Sequence, residues 1–253
     1  SPRTTLLPAE SAALRAYLRQ GGSALFMFDL GYVLEPELER LLSDLGVRFE
    51  QQVVIDPLSH YQNDPELVAV AGYDRHPITR SLSLTLYPGI RPLALLPPRP
   101  GLQVVPLLAS SRDSYTRAVT TAGHRVAGRS GAAPEAVVEP ARAGPPVAGV
   151  RVLGVAIEGL VDGGSRPMRV AAVGDGDFAS NSFFPYMANS DLLLAVTRWL
   201  SREERNTAVT SRIPVPPHAL LTGLQTRLVF GVIVVLLPLM VVALGCFVWW
   251  RRR

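Results

Sequence analysis

The chain has 253 residues, of which 48% are hydrophobic, and it carries a formal net charge of +4. Three of the positive charges come from Arg251, Arg252 and Arg253. The rest of the chain is therefore nearly neutral, and its charge does not indicate nucleic-acid binding. The one cysteine, Cys246, lies in an apolar run. This excludes an internal disulfide framework, a Cys-based zinc site and a soluble cysteine nucleophile.

The first fifty residues alternate between helix and strand patterns. Apolar residues at helical spacing predict helices over residues 10–20 and 35–44. Between them, residues 23–28 read SALFMF and predict a short buried parallel strand that Asp29 ends. Another strand is predicted over residues 47–55. This alternation is typical of an α/β layer fold.

The chain from residue 56 to residue 212 is predicted to be rich in short strands. Residues 112–150 are rich in Gly, Pro, Ala and Arg, which predicts a long surface loop or insertion. Residues 191–202 predict a last helix, and residues 207–212 are a candidate last strand. The remaining strands are predicted over residues 67–71, 83–87, 91–96, 103–110, 150–158 and 168–174.

The C-terminal run predicts a membrane anchor. Residues 228–250 contain no charged side chain, and a helix of this length rises about 34 Å, more than the hydrocarbon core of about 30 Å. Because arginines favour the cytoplasmic side, the basic C-terminus predicts a single pass through the cytoplasmic membrane with a periplasmic domain. The alternative, a buried core helix, is disfavoured by the length of the run. The anchor residues are Leu228, Pro238, Trp249, Trp250, Arg251, Arg252 and Arg253.

These features predict four segments. Residues 1–212 form an extracytoplasmic α/β domain, which contains the loop at 112–150. Residues 213–227 form a stiff Pro-rich linker, residues 228–250 the transmembrane helix, and residues 251–253 a cytoplasmic basic stop. Ser1 begins without a visible signal peptide, so we expect an export signal or a further segment elsewhere.

The acidic turn around Asp175 and Asp177 is the main candidate for chemistry. It follows a predicted strand, and two carboxylates two residues apart can bind Mg²⁺ or Ca²⁺. An EF-hand loop would need further ligands and a closing Glu, which are absent from this stretch. The alternative is structural: the neighbouring glycines make a tight turn, and Asp177 or Ser180 caps the next helix.

Other polar residues do not form a recognisable catalytic pattern. The four histidines, His60, His76, His124 and His218, lack the HxH or HxxxH spacing of metal ligands. The serines of residues 110–114 lack a GxSxG elbow, and the chain has neither GxxxxGK[ST] nor GxGxxG. The sequence therefore predicts no catalytic residue, no cofactor and no small-molecule substrate.

Several segments, taken in order, resemble GldG-like proteins. The similar segments are LPAESAALRAYLRQGGSALFMFD at 7–29, YDRHPIT at 73–79, LLASSRDS at 107–114, VGDGDFASN at 173–181, NSDL at 189–192 and the terminal PLMVVALGCFVWWRRR. GldG-like proteins are auxiliary components of gliding-motility-type ABC transport systems. The resemblance extends over nearly the whole chain and is weakest in residues 112–150.

The resemblance implies an expected fold and expected partners. The expected fold is a partial flavodoxin- or glutamine-amidotransferase-like α/β layered domain with additional β strands, plus one C-terminal transmembrane helix. The expected setting is extracytoplasmic, beside a membrane permease and a separate cytoplasmic ATPase. It implies no catalytic residue, since the amidotransferase nucleophile is a Cys and the one Cys here lies in the predicted anchor.

The main functional hypothesis is therefore a non-catalytic, membrane-anchored auxiliary subunit of an ABC-type transporter. Its predicted partners are integral membrane subunits and the lipid bilayer. One alternative is a structural scaffold recruited to another large membrane complex, and a second is an extracytoplasmic ligand-binding protein. A third is a metal-dependent enzyme that uses Asp175 and Asp177.

Overall fold

The structure is a computed structural model that describes residues 6–120, 137–138, 147–161, 164, 166–203, 234, 238–240, 247–249 and 251–252. The chain separates into two compact units, Ser1–Val215 and Pro216–Arg253. The helices of the first unit are α1 (Pro8–Arg19), α2 (Pro36–Asp44), α3 (Asn189–Leu200) and a short 3-10 helix (Asp177–Ala179). The strands are β1 (Ser23–Met27), β2 (Val47–Phe49), β3 (Gln52–Ile55), β4 (His60–Tyr61), β5 (Asp64–Val70), β6 (Thr85–Pro88), β7 (Leu93–Leu95), β8 (Leu102–Ala109), β9 (Tyr115–Thr120), β10 (Val137–Val138), β11 (Val152–Gly159) and β12 (Met168–Val173).

A mixed sheet lies at the centre of the first unit, in the order β1-β12-β11-β8. The β1 and β12 strands are parallel, whereas β11 is antiparallel to both β12 and β8. Three smaller antiparallel sheets surround it: β4-β5-β6, β10-β9-β3 and β2-β7.

Both faces of the central sheet are buried. On β12, Val170 and Ala172 pack into a core cluster that includes Leu18 of α1 and Leu38 of α2. The alternate residues of β12, together with residues of α3, belong to a second core cluster. Burial on both faces explains why residues 170–173 of β12 are a continuous apolar run rather than an alternating one.

The fold class predicted from the sequence, a flavodoxin- or amidotransferase-like α/β layered domain with a C-terminal transmembrane helix, is wrong. The described structure is mostly β-sheet, and within it only β1 and β12 run parallel. The strand that follows α2 does not join the central sheet. Instead, the predicted strand at 47–55 divides at the polar pair Glu50 and Gln51 into β2, which pairs with β7, and β3, which pairs with β9.

Many single elements were predicted correctly. The three helices lie close to their predicted positions, and β1 is a parallel strand as expected. The predicted loop at 112–150 is corrected in part, because β9 pairs with β3 and β10 pairs with β9. The pattern of a strand is present in β9, where Tyr115, Arg117 and Val119 occupy alternate positions. The high content of Gly, Pro, Ala and Arg in the whole range hid this pattern. Residues 121–136 and 139–146 of this range lie outside the described part of the chain.

In the second unit the structure describes a few positions only. Across all the residues that the structure describes, no helix combines the length and the apolar character needed to cross a bilayer. Of the predicted anchor residues, Pro238, Trp249, Arg251 and Arg252 are described and exposed. Leu228, Trp250 and Arg253 lie outside the described residues, as do the predicted linker at 213–227 and the candidate strand at 207–212.

Candidate functional site

Three aspartates meet at one edge of the central sheet. Asp29 follows β1, and Asp175 and Asp177 follow β12. Because β1 and β12 are parallel neighbours, their carboxyl ends lie side by side. One carboxylate oxygen of each aspartate lies within 4.8 Å of the other two.

The structure thus brings Asp175 and Asp177 together, as predicted, and adds Asp29, which the sequence reasoning did not select. The signal for Asp29 was present, since it directly follows a strand predicted to be parallel. What the sequence did not reveal was that β12, rather than another strand, is its neighbour.

Asp175 holds the turn after β12 in shape. Its side chain is 1% exposed. One carboxylate oxygen accepts a hydrogen bond from the Asp177 N–H at 2.9 Å, and the other accepts from the Phe178 N–H at 3.0 Å. Asp175 therefore caps the short 3-10 helix, a role that the sequence had suggested for Asp177 or Ser180.

The protonation of Asp175 follows from this setting. Burial raises the pKa of its carboxyl well above the usual 3.8, and the negative charge of Asp29 raises it further. The charge of Asp177 acts in the same direction, whereas the two N–H bonds lower the pKa. Asp175 is therefore neutral at pH values where an exposed aspartate is ionised.

Arg91 is fully buried and bonds to the loop that carries Asp29. Its Nε donates to the carbonyl oxygen of Glu50 at 2.9 Å, and its Nη1 donates to the carbonyl oxygen of Tyr32 at 3.0 Å. Burial lowers the pKa of the guanidinium to about 10, and the charge of Asp29 opposes this shift. Arg91 therefore holds the loop that carries Asp29 in place.

Both glycines of the turn make close contacts, and the contact at Gly174 is with the backbone of another segment. The Arg91 N–H donates to the Gly174 carbonyl oxygen at 2.9 Å, and a Cβ on Gly174 would lie 1.9 Å from the Arg91 carbonyl oxygen. The Gly176 N–H donates to Asp29 Oδ1 at 2.7 Å, and a Cβ there would lie 2.8 Å from the same oxygen. A side chain at position 174 would push two backbone segments apart, whereas one at position 176 would displace the carboxylate of Asp29.

Asn189, at the start of α3, ties the turn to β6. Its side-chain oxygen accepts from the Leu86 N–H at 2.8 Å, and its Nδ2 donates to the Leu86 carbonyl oxygen at 3.0 Å. The same Nδ2 contacts the carbonyl oxygens of Phe178 and Phe183 at 3.4 and 3.1 Å. A single buried amide thus joins three segments.

The three carboxylates match the ligands that Mg²⁺ and Ca²⁺ prefer. Two of them already accept hydrogen bonds from the turn, namely Asp29 from Gly176 and Asp175 from Asp177 and Phe178. These bonds account for the placement of both side chains without an ion. The sequence favoured a structural turn over a metal site at Asp175 and Asp177, and metal binding there is an untested alternative.

The serines of residues 110–114 form a structural network. Ser110 Oγ lies 2.6 Å from Ser114 Oγ, and Ser111 Oγ donates to the buried carboxylate of Asp56 at 2.7 Å. His60 contacts the backbone oxygen of Asp56, with its Nδ1 at 3.0 Å, and not the carboxylate. The arrangement therefore differs from a Ser-His-Asp triad, in which His lies between the other two.

One further predicted position, His76, is explained by packing. His76 stacks edge-on against Trp199 of α3, with 5.1 Å between ring centroids. His124 and His218 lie outside the described residues.

A surface groove of about 690 Å³ runs along α1, lined in part by Ala12, Arg15 and Arg19, and none of the three aspartates lines it.

No curated protein matches the chain. Four chains of solved structures match, among them one described as "mmIFT52 N-terminal domain". That domain is 18% identical, with a TM-score of 0.54, and the match covers 79% of this chain and 74% of that chain. At this identity the similarity concerns the fold alone.

The family model described as "ABC-type uncharacterized transport system", of the auxiliary type, matches residues 1–210. This match confirms the resemblance to GldG-like auxiliary components that the sequence segments indicated. The chain therefore belongs to the family of auxiliary components of ABC-type transport systems.

Proposed function

We propose that the chain is a non-catalytic subunit that associates with the integral membrane subunits of an ABC-type transport system. The observation that carries the proposal is the family match over residues 1–210. An auxiliary component of such a system implies partner subunits in the membrane. The family is an auxiliary one and not a known catalytic family.

The proposal that the subunit is non-catalytic is supported by the hydrogen bonds that the polar residues of the acidic turn make to backbone. Both oxygens of Asp175 accept backbone N–H groups, and the amide of Asn189 bonds to backbone on three segments. A general acid or base needs an atom within reach of a substrate. Asp175 and Asn189 are buried, which removes them from that reach.

The location of the subunit is also part of the proposal. We place the first unit on the extracytoplasmic side of the cytoplasmic membrane, next to a permease. The support is the resemblance to GldG-like proteins, which implies this arrangement. Digestion of intact spheroplasts with a protease tests it: the first unit should be cleaved without lysis, and protection until lysis would contradict this location.

Partner identification tests the function itself. Native membranes are extracted with a gentle detergent, the full-length chain is captured, and the recovered proteins are identified. Recovery of a multi-span permease and an ATPase is the expected result. A different large assembly would instead indicate a scaffold role, and recovery of the chain alone would favour a ligand-binding protein.

A further inference from the structure

The first strand of the central sheet is paired on one side only. β1 lies at one end of the order β1-β12-β11-β8, and within the described residues it pairs with β12 alone. The side of β1 that faces away from β12 is called the outer edge below. An edge strand presents a row of backbone N–H and C=O groups with which another strand can pair.

The hydrogen bonds between β1 and β12 show which residues form the outer edge. The Arg169 N–H donates to the Gly22 carbonyl oxygen at 3.4 Å, so the backbone of Gly22 faces β12. Because the backbone groups of a strand point alternately to its two sides, every second residue after Gly22 also faces β12. The residues between them form the outer edge, and they are Ser23, Leu25 and Met27.

Tyr17 of α1 covers the first position of the outer edge. Its hydroxyl accepts a hydrogen bond from the Ser23 N–H at 3.2 Å and donates to the Ser23 carbonyl oxygen at 3.3 Å. The ring lies over Gly22, where an added Cβ would be 2.3 Å from the ring atom Cε1. A side chain that is 50% exposed therefore occupies the place that the backbone of a neighbouring strand would take.

Leu25 and Met27 carry the uncovered positions of the outer edge. Within the described part of the chain, their outward N–H and C=O groups have no hydrogen-bond partner. Both residues are half-buried, and their side chains pack against a core cluster that includes residues of α3. The strand is thus fixed by β12 and the core, while its outward backbone groups are ready to pair. The matching partner is an extended backbone, which repeats the same groups at the spacing of a strand.

The charges at the two ends of β1 indicate the identity and direction of that partner. Exposed Arg166 lies beside the start of the strand, since an added Cβ on Gly21 would be 2.6 Å from the Arg166 Cβ. Asp29 follows the strand, and Asp177 lies close to it. In an antiparallel pair of two β1 strands, the basic start of each lies beside the acidic end of the other. A parallel pair would place like charges together.

We propose that the outer edge of β1 pairs antiparallel with the same edge of a second copy of this chain, so that two four-stranded sheets join into one. The twofold axis passes between the two Leu25 residues, and each Leu25 N–H donates to the Leu25 carbonyl oxygen of the other copy. Ser23 of each copy faces Met27 of the other. The Tyr17 hydroxyl leaves Ser23 when these outer bonds form. The inference concerns this chain alone and does not depend on the proposed function.

Disulfide trapping tests the contact at the twofold axis. Cys246→Ser removes the natural cysteine of the full-length chain, and Leu25→Cys then places two thiols on residues whose Cα atoms are about 5.5 Å apart, a distance that a disulfide spans. In gentle detergent extracts, we expect oxidation to give a covalent dimer. The matched control, Leu58→Cys at a position that is 71% exposed, is expected to stay monomeric. Equal dimer yields from both positions, or none from position 25, would overturn the inference.

Two substitutions change the pairing in opposite directions. Leu25→Pro removes the outward N–H without removing a bond to β12, and it is expected to weaken the dimer about tenfold. Leu25→Ala shortens the same side chain but keeps the N–H, so it is the matched control and is expected to keep the dimer. Tyr17→Phe removes the hydroxyl that occupies Ser23 and is expected to tighten the dimer about fivefold. Analytical ultracentrifugation of the full-length chain measures all three.

The outcomes divide clearly between support and refutation. A wild-type dimer that Leu25→Ala keeps and Leu25→Pro weakens supports pairing at the outer edge. A monomeric wild type, or a dimer that Leu25→Pro leaves unchanged, refutes it. A disulfide adduct of Leu25→Cys with a mass other than twice that of the chain would show that a different protein takes the edge. If thermal unfolding shows that Leu25→Pro does not fold, Tyr17→Phe and Leu25→Cys decide the question.

Discussion

Asp175 keeps a buried carboxyl group beside a second aspartate, and this makes folding depend on pH. Burial raises its pKa well above 3.8. A raised folded-state pKa contributes stability that is complete below pH 3.8, declines above it and is lost once the pH has passed the folded pKa. The slope within this window is about 1.4 kcal/mol per pH unit for one proton.

We expect Asp175→Asn to remove this part of the pH dependence, because the amide cannot lose a proton. The variant keeps one acceptor oxygen and loses the other, which costs about 1 kcal/mol at low pH. The measurement is urea unfolding of wild type and variant from pH 4 upward, compared as a difference. Asp113→Asn, at an exposed position, is the matched control. A wild-type curve that runs parallel to the variant curve would refute the assignment.

The backbone of another segment leaves no room for a side chain at position 174. We expect Gly174→Ala to destabilise the domain by about 3 kcal/mol, since the new Cβ would lie 1.9 Å from the Arg91 carbonyl oxygen. The control is Gly72→Ala, where no atom lies within 4 Å of the added Cβ. Denaturant unfolding of the two variants compares them. Equal effects at both positions would show that the crossing with Arg91 is not the cause.

At the scale of elements, Asn189 is the link between α3, the 3-10 helix and β6. We expect Asn189→Ala to cost about 3 kcal/mol, because the buried N–H and carbonyl of Leu86 lose their partners. Asn181→Ala, at an exposed position, is expected to change stability by a few tenths of a kcal/mol. The free energies of unfolding from urea titration decide between them, and similar losses would contradict the bridging role.

The helices and strands also show what could be predicted from the sequence. The periodicity of α1, α2 and α3 depends on neighbours three and four residues away, so each was found near its true position. The pairing of β2 with β7 and of β3 with β9 depends on residues far apart in the chain. A local pattern does not specify such a partner, and this is why the fold class was wrong.

The candidate site was predicted in part for the same reason. Asp175 and Asp177 are close in sequence, so their juxtaposition was visible in the turn itself. Asp29 joins them only because β1 and β12 are neighbours in the central sheet. The capping role of Asp175 depends on the direction that the chain takes after β12. The residue types alone did not show which side chain of the turn would be the cap.

At the scale of the whole first unit, the central sheet separates two core clusters, and β11 and β12 contribute to both. We expect the amides of these two strands to exchange with solvent only through global unfolding. The short β9 strand and the ends of α1 should exchange through smaller openings. Native-state hydrogen exchange of the full-length chain measures this order. Exchange of β12 before α1 would show that the two clusters unfold separately.

The crossing of Gly174 and Arg91 has a consequence for how relatives of this protein diversify. The backbone contact limits position 174 to a residue without a side chain, whatever molecule the transport system carries. We therefore expect proteins that share this turn to keep a glycine at this position, whatever residues surround it.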